Sequence, residues 1–380
     1  MRNARAIFII ACLLLAAQLL AGCWDQREIE ERISVVAIGV DRVEKDGKKL
    51  MQVTVQIPIP IKIAGSTGGG GGGGDPVKVM SDSGRTVVEA LENLQTRLNQ
   101  QLFFGHTRVI AIGEPLAREG VNDIMDTFRR NPQFRRLLWP LVVKGKAIEL
   151  LTAKPEIEQI PTVFIMTMIE NGSRTGRIPD MNLGKFYIAL SSPSEQPFLN
   201  YIEVKNNDIR WRGIAVFRQD NMVGTLSDNL TWQMMHIKEK REGGPIVIEY
   251  KGKPGQFLSF NTKTIELEDR YGYENGRVKI NVKVTVEGDL IGKTVDANFS
   301  DQSAIRQLQK DAEEYMEEKT RKMLDKLQKE YKSDILGFGS QLKAYHPDIW
   351  RKVDWQKEFP KADIHVSYDI KLRRTGMEME

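Results

Sequence analysis

The sequence predicts an α+β protein (mixed α/β) with more than one domain: an N-terminal α/β layer domain, followed by an antiparallel sheet packed on a long C-terminal helix. Three observations lead to this prediction. Strand-like and helix-like segments alternate over the first half, strand-like segments follow one another in the second, and a helical apolar stripe spans about residues 301–335. The 380 residues, 41% hydrophobic and 28% charged, are typical of a folded chain of two or three domains.

Residues 1–22 predict a lipoprotein signal peptide. Arg2 and Arg5 precede an almost wholly apolar run at residues 6–21, which is short for a membrane-spanning helix and suits the core of a signal peptide. Two small residues then give a peptidase access to the backbone before Cys23. We therefore expect cleavage before Cys23, an S-diacylglycerol on its thiol and an acyl chain such as palmitate on its amine, because two or more chains anchor a protein stably. A plain secretory signal and an N-terminal transmembrane anchor are the alternatives.

Cleavage at this position has consequences for the chemistry of the mature chain. Cys12 is removed with the signal peptide and Cys23 is blocked by lipid, so no free thiol is left for a disulfide or a thiolate metal site. The loss of Arg2 and Arg5 removes two positive charges from a net charge of +4. A nearly neutral chain of this kind is not expected to bind nucleic acid.

The N-terminal domain is predicted at residues 23–205. It opens with strand segments at 33–40 and 50–57, separated by the hairpin signal Asp46-Gly47. A loop at 65–75 contains seven consecutive glycines. The run lacks the Gly-Lys-Ser/Thr ending of a phosphate-binding loop, so a flexible surface loop is the expected structure.

A β-α-β-α-β order is expected after the glycine run. Ser83 is the predicted cap of the first helix, and Glu114-Pro115 is the predicted start of the second. Strands are expected at 107–112 and 137–143, and mainly helical structure from there to residue 190. The predicted domain boundary lies in the region of Ser191-Ser192-Pro193-Ser194 and the polar stretch around Asn206-Asn207-Asp208.

The C-terminal domain is predicted at residues 208–375. Alternating apolar residues indicate antiparallel strands with one solvated face, and Asn275-Gly276 is a second hairpin signal. The helix at about 301–335 is expected to lie across this sheet, because its stripe drifts and lacks a strict heptad; a dimerising coiled coil is the alternative. The expected strands are 211–218, 222–226, 246–250, 256–268, 276–289 and a closing strand at 364–372.

The residues predict no enzyme, cofactor or metal site, although two carboxylates of a glycoside hydrolase are not excluded by spacing. The four histidines stand in no HExxH pattern, and a GxSxG nucleophile motif is absent. His106 is interpreted as a structural histidine at the start of a strand, with a ligand or proton-transfer role as the alternative. Arg129-Arg130 and Arg135-Arg136 form a basic cluster. Ordinary surface charge is the simplest interpretation of it; anionic headgroups or an acidic loop of a partner are the alternatives.

Several sequence blocks, in order behind the predicted cleavage site, carry a resemblance to a known family. The blocks are Gly22-Cys23-Trp24-Asp25 with Arg27-Glu28, Val36-Ala37-Ile38-Gly39-Val40-Asp41, Gly84-Arg85-Thr86 with Glu89-Ala90-Leu91, Phe104-Gly105-His106-Thr107 with Ile112-Gly113-Glu114 and Leu116-Ala117, Phe128-Arg129-Arg130, and Trp211-Arg212-Gly213-Ile214-Ala215-Val216-Phe217. In these blocks the chain resembles the spore germination protein C family, the lipoprotein C subunits of germinant receptors in endospore-forming bacteria. The glycine run is the clearest departure from the family pattern.

The resemblance implies a non-enzymatic role. It implies a lipid-tethered subunit on the outer face of the spore inner membrane, working with integral-membrane A and B subunits in the response to nutrient germinants. Cys23, as the lipid-bearing residue, is the site that it carries over to this chain; whether this subunit touches the germinant stays open. An extracytoplasmic solute-binding lipoprotein of a transporter is the main alternative, and a cell-wall enzyme is the third.

Overall fold

The computed structural model describes residues 3, 4, 8, 32–60, 62, 75–249, 255–294 and 302–374. Cys23, the cleavage site and the glycine run therefore lie outside the described residues. The two main parts of the described chain are an eight-stranded sheet and a four-stranded sheet, each covered by helices.

The large sheet has the strand order β10-β9-β8-β7-β6-β2-β3-β4. Its centre is parallel, because β2, β6, β7 and β8 pair in parallel, and both outer parts are antiparallel. The central strand β6 is buried along its whole length, as expected where helices cover both faces. The strands are β2 (Ala37–Lys45), β3 (Lys48–Pro58), β4 (Val77–Gly84), β6 (Val109–Gly113), β7 (Trp139–Val143), β8 (Phe198–Lys205), β9 (Asp208–Arg218) and β10 (Asn221–Leu226). A separate parallel pair consists of β1 (Arg32–Ser34) and β5 (Gln101–Phe103).

Six helices cover the two faces of the large sheet in the described part of the chain. Two of them, α4 (Ala147–Thr152) and α5 (Pro161–Arg174), bury their apolar side chains in a core on one face. The others contribute to a larger core on the opposite face, which continues into the second sheet. They are α1 (Val87–Gln95), α2 (Glu114–Glu119), α3 (Asn122–Arg130) and α6 (Leu183–Leu190).

The second sheet has the order β11-β12-β13-β14 and packs on a long helix. The first three strands pair antiparallel, and β14 joins β13 in parallel. A parallel neighbour requires a crossover connection, which the helical segment between these two strands provides. The strands are β11 (Ile246–Glu249), β12 (Phe257–Glu274), β13 (Arg277–Lys293) and β14 (Asp363–Arg374).

The helices of this part begin with α7 (Asp228–Lys238) and the long helix α8 (Gln302–Asp325), which continues as a π-helical turn at Lys326–Tyr331. The left-handed Lys332, with φ 51°, ends it. Three short helices and a 3₁₀ turn then lead back to the sheet: α9 (Phe338–Tyr345), α10 (Pro347–Trp350), α11 (Trp355–Glu358) and Phe359–Lys361. The predicted fold class is confirmed, with α8 lying on the sheet.

Both hairpin signals are confirmed. Asp46 and Gly47 have φ values of 53° and 71°, and Asn275 and Gly276 have values of 52° and 77°, the left-handed pair that a tight two-residue turn requires. The residues at 206 and 207 form a similar turn between β8 and β9, with φ values of 52° and 64°. The large sheet thus continues on both sides of the position where the sequence predicts a domain boundary, and the division into 23–205 and 208–375 stays a prediction.

Candidate functional site

The continuous described range that starts at residue 32 begins at the edge of the large sheet where β2, β6 and β7 start. We call this region the amino edge and define it as residues 32–36, 101–108 and 129–139. Strand β1 lies there against β5, and the guanidinium of Arg32 sits 5.1 Å from the centre of the Phe103 ring. The proposed lipid-bearing residue Cys23 is nine positions before Arg32.

His106 lies exposed at the amino edge, in the turn before β6. Its Nδ1 is 3.1 Å from the hydroxyl of Ser34, and its ring meets Phe103 edge-on at 5.3 Å. These contacts join the turn to β1. They agree with the interpretation of His106 as a structural residue at the start of a strand.

The four predicted arginines lie at the end of α3 and in the turn that leads into β7. Arg130 is paired with Asp126 at 2.6 Å, and Arg129 lies 6.0 Å from the ring centre of Tyr187 on α6. Burial raises the pKa of Tyr187 to about 12, while the positive charges of Arg129 and Arg136 act against the rise, so both guanidinium groups lie near this hydroxyl. Arg135 and Arg136 are exposed.

The turn that carries Arg135 and Arg136 is fixed from beneath by aromatic packing. Phe134 is buried between Phe104 at 5.2 Å and Phe128 at 4.9 Å. The side chain of Gln133 accepts the backbone N–H of Phe104 at 2.8 Å. The arginine turn is thus joined directly to the segment that follows β5, and β5 pairs with β1.

A second cluster of polar residues forms a junction between the large sheet and the loop that follows α8. The carboxylate of buried Asp334 accepts the backbone N–H groups of Gly337 and Gly339 and the indole N–H of Trp355, each at 2.9 Å. Burial raises the pKa of Asp334, and the hydrogen bonds from these donors act against the rise. The backbone oxygen of Asp334 accepts from Gln196, just before β8.

Other contacts secure the same junction. The hydroxyl of Ser333 donates to the carbonyl of Phe217 on β9 at 2.5 Å, and the hydroxyl of Tyr331 donates to the carbonyl of Thr225 on β10 at 2.9 Å. Lys238 and Glu195 form a partly buried ion pair at 3.2 Å. The second part of the chain is therefore fastened to β9 and β10 by polar contacts as well as by the shared core.

A buried polar network connects α7, α8 and β14. The side-chain oxygen of Gln233 accepts from Thr320 at 3.2 Å and from the hydroxyl of Tyr368 at 3.1 Å. Next to it, His236 has its Nε2 3.0 Å from the carbonyl of Glu242, and its Nδ1 has no hydrogen-bond partner among the residues that the structure describes. Burial lowers the pKa of His236 to about 4, so this imidazole is neutral at neutral pH.

Open clefts are present, but the described residues do not combine one with a recognisable catalytic set. The cleft beside β4 has a volume of about 500 Å³ and lies between residues 75–79 and 151–155. Its rim carries an exposed ion pair of Asp75 with Lys154 at 2.7 Å. Within the described ranges, no group of three or more His, Cys, Asp or Glu residues is placed to hold a metal ion, and no helix is long and apolar enough to cross a membrane.

Comparison with known proteins decides the family. The family model described as "Spore germination protein N-terminal domain" matches residues 25–204, and the one described as "Spore germination B3/GerAC like, C-terminal" matches residues 212–376. The chain belongs to the spore germination protein C family. This confirms the resemblance that the sequence blocks indicate.

Curated relatives match over nearly the whole chain. Spore germination protein KC of Bacillus subtilis (strain 168) is 26% identical, with 98% of this chain and 97% of that protein covered. Spore germination protein B3 of the same organism is 24% identical, with 99% of each covered. The crystal structure of the GerBC protein superposes with a TM-score of 0.58 at 21% identity, covering 91% of this chain and 99% of that one, and so supports the fold.

Two residues of the family blocks have a structural explanation in this germination protein. Asp41, in the middle of β2, is buried and accepts the backbone N–H groups of Ala147 at 2.7 Å and Ile148 at 3.1 Å, which caps α4. A Cβ on Gly113 would lie 2.2 Å from the carboxylate of Asp41, so only glycine leaves room for this cap. The sequence prediction did not single out this pair, although an aspartate directly after the apolar run at residues 33–40 was a usable signal.

Proposed function

We propose that this protein is a lipid-anchored, non-enzymatic subunit of a spore germinant receptor. In this proposal it acts with integral-membrane A and B subunits in nutrient-triggered germination, on the extracytoplasmic face of the spore inner membrane. The observation that carries the proposal is the match of both family models in their order along the chain, directly behind a lipoprotein cleavage signal.

The lipid on Cys23 has a physical purpose in this proposal. Holding the protein at the membrane raises its effective concentration near membrane partners without any new contact. Lipid attachment is thus expected to strengthen assembly even if the soluble part already has a docking surface. The junction at Asp334 keeps the two parts of the chain in one arrangement, which suits a protein that presents a fixed surface to its partners.

The tether is tested with Cys23→Ala in the chromosomal gene. We expect the variant protein to leave the membrane fraction of spores after a high-salt wash, and we expect nutrient-triggered germination to slow. Cys12→Ala is the matched control, because Cys12 lies inside the predicted signal peptide and its loss should leave processing intact. A Cys23→Ala protein that stays membrane-bound and supports full germination would overturn the tether.

The partners and the non-enzymatic role are tested separately. Detergent-solubilised spore membranes should yield the A and B subunits together with this protein, and its purification without them would contradict the assembly.

The purified mature chain should leave peptidoglycan intact, and hydrolysis of peptidoglycan would support the alternative of a cell-wall enzyme. A strong rise in the unfolding temperature of the isolated chain with an amino acid or a sugar would favour the solute-binding alternative. That alternative requires two similar lobes, whereas the two main sheets of the described chain have eight and four strands.

A further inference from the structure

The basic residues of the amino edge outnumber their acidic neighbours in sequence. Residues 127–143 contain four arginines and no acidic residue. Arg130 is neutralised by Asp126 on the preceding helical turn. Asp180, which contacts the amino edge at Trp139, is held by the indole N–H of Trp139 at 2.9 Å and by Lys185 at 3.1 Å. Arg129, Arg135 and Arg136 thus remain as exposed positive charges of this surface, together with the exposed Arg108 directly before β6.

An exposed apolar side chain accompanies these charges. Leu137 directly follows Arg136 and is 73% exposed, although the next residue is buried in the core. The backbone carbonyl of Arg136 accepts the N–H of Gly184 at 2.9 Å, which joins the turn to the start of α6. A turn that presents arginines beside one exposed leucine has the composition of a membrane-surface contact: cations for headgroups and an apolar side chain for the interface.

The path of the chain places this surface near the proposed lipid. Nine residue steps separate Cys23 from Arg32 and reach at most about 30 Å when fully extended. Arg32 starts β1, the backbone N–H of Val35 donates to the carbonyl of Phe103 at 2.9 Å, and Phe104 stacks on Phe134 beside Arg135. The lipid and the arginine turn are therefore attached to the same edge of the sheet.

We propose that the amino edge docks on anionic phospholipid headgroups through Arg129, Arg135 and Arg136 with Leu137, and so orients the tethered protein on the membrane. This inference rests on the proposed lipid anchor for its geometry. The occupant is an anionic lipid surface because the charges are clustered, unpaired with acids of the described chain and within reach of the bilayer that the tether defines.

Vesicle flotation of the mature chain, residues 23–380 with Cys23→Ser so that no lipid is attached, tests the docking surface. Phosphatidylcholine vesicles with and without phosphatidylglycerol are compared at low and high salt. We expect binding that needs phosphatidylglycerol and is lost at high salt, because exposed charges are screened. The loss of each arginine should lower the partition coefficient about fivefold, and Arg135→Gln/Arg136→Gln together about 25-fold.

The matched control is Lys45→Gln/Lys48→Gln. These two exposed lysines face each other across the β2–β3 hairpin at the opposite edge of the sheet, and their loss should leave vesicle binding nearly unchanged. Circular dichroism and the unfolding midpoint confirm that each variant folds. Equal binding to both kinds of vesicle, or equal losses in the arginine and lysine variants, would overturn the proposal.

A protein partner at the same surface gives a different result. If the arginine variant binds phosphatidylglycerol vesicles like the parent chain but no longer co-purifies with the membrane subunits, the surface serves a protein and the lipid proposal is wrong. The vesicle assay uses an unlipidated chain, so its failure leaves the Cys23 tether untouched. Failure of the Cys23→Ala test, in turn, does not alter the vesicle result.

Discussion

Replacing Asp334 by asparagine should weaken the junction between the two parts of the chain. One carboxylate oxygen accepts from Gly337, and the other accepts from Gly339 and from the indole of Trp355. The amide of asparagine keeps one oxygen but turns an NH₂ group toward the other donors, so at least one buried N–H loses its acceptor. Each buried N–H without an acceptor costs about 1–3 kcal/mol of stability. Removing a buried charge offsets part of this cost. We expect a net loss of about 1–3 kcal/mol in the free energy of unfolding.

Urea unfolding of the mature chain, followed by tryptophan fluorescence, measures this loss. Asp348→Asn is the matched control, because this aspartate is exposed and should change the free energy of unfolding by no more than about 0.5 kcal/mol. Trp355→Phe removes one donor but leaves the carboxylate its backbone partners, so its effect should be smaller than that of Asp334→Asn. If Asp334→Asn unfolds like the Asp348 control, the junction is not stabilised by these hydrogen bonds.

Three further predictions concern pH, glycine geometry and helix capping. The pKa of His236 is about 4 in the folded protein and 6.5 as the ordinary value, so the unfolded chain binds the proton more readily. The free energy of unfolding should therefore fall by roughly 3 kcal/mol as pH drops from 6.5 to 4. If the unfolding midpoint of His236→Gln falls as steeply over this pH range as that of the wild type, the prediction is wrong. Gly213→Ala should cost about 3 kcal/mol or more, because φ is 102° and the new Cβ would lie 2.0 Å from the carbonyl of Leu226. Gly47→Ala, with φ 71° and open space, should cost about 1 kcal/mol in the same urea assay. Thr86→Ala removes the side chain that accepts a backbone N–H of α1 at 3.1 Å and should cost about 1 kcal/mol by thermal unfolding; an unchanged midpoint would exclude the cap.

Local patterns were sufficient to predict much of the fold. The alternating residues from Val278 to Val286 are buried on one face of β13, because the period of two places them against the long helix and its neighbours. The turns at Asp46-Gly47 and Asn275-Gly276 could be predicted for a similar reason, because two adjacent residues determine the type of turn. The stripe at 301–335 predicted the helix but not its change to a π-helical turn at Lys326, which depends on packing.

Features that join distant segments were not predictable in this way. Ser83 was the expected cap of the first helix, but Thr86 is the residue whose side chain caps it; both are good capping residues, and the extension of β4 to Gly84 decides between them. The helix expected from Glu114 is two helices, separated at Gly120 with φ 131°. The parallel pairing of β14 also depends on a crossover that the alternation within a strand does not record.

The same distinction between local patterns and contacts of distant segments applies to the candidate site. Cys23 is predicted by sequence alone and lies outside the described residues. The arginines are visible in sequence as a cluster, but their place beside the incoming chain depends on β1 pairing with β5 and on Phe104 stacking against Phe134. The sequence around Asp334 did not indicate its role, because that role depends on hydrogen bonds with four residues that come together only in the folded chain.

A tether limits distance but not orientation, and this difference supplies a test of the whole arrangement in spores. A segment that reaches at most about 30 Å would allow the body to meet its partners with any face, whereas a second contact at the amino edge selects one face and raises the effective concentration of the correct encounter. A lipidated chain with Arg135→Gln/Arg136→Gln should therefore stay in the membrane fraction yet support slower germination. Cys23→Ala should leave the membrane fraction after a high-salt wash, which releases charge-dependent binding, and should also support slower germination. The Lys45→Gln/Lys48→Gln chain should match the wild type in both measurements. If the lipidated arginine variant germinates at the wild-type rate, the tether is sufficient and orientation by the amino edge is not needed for signalling.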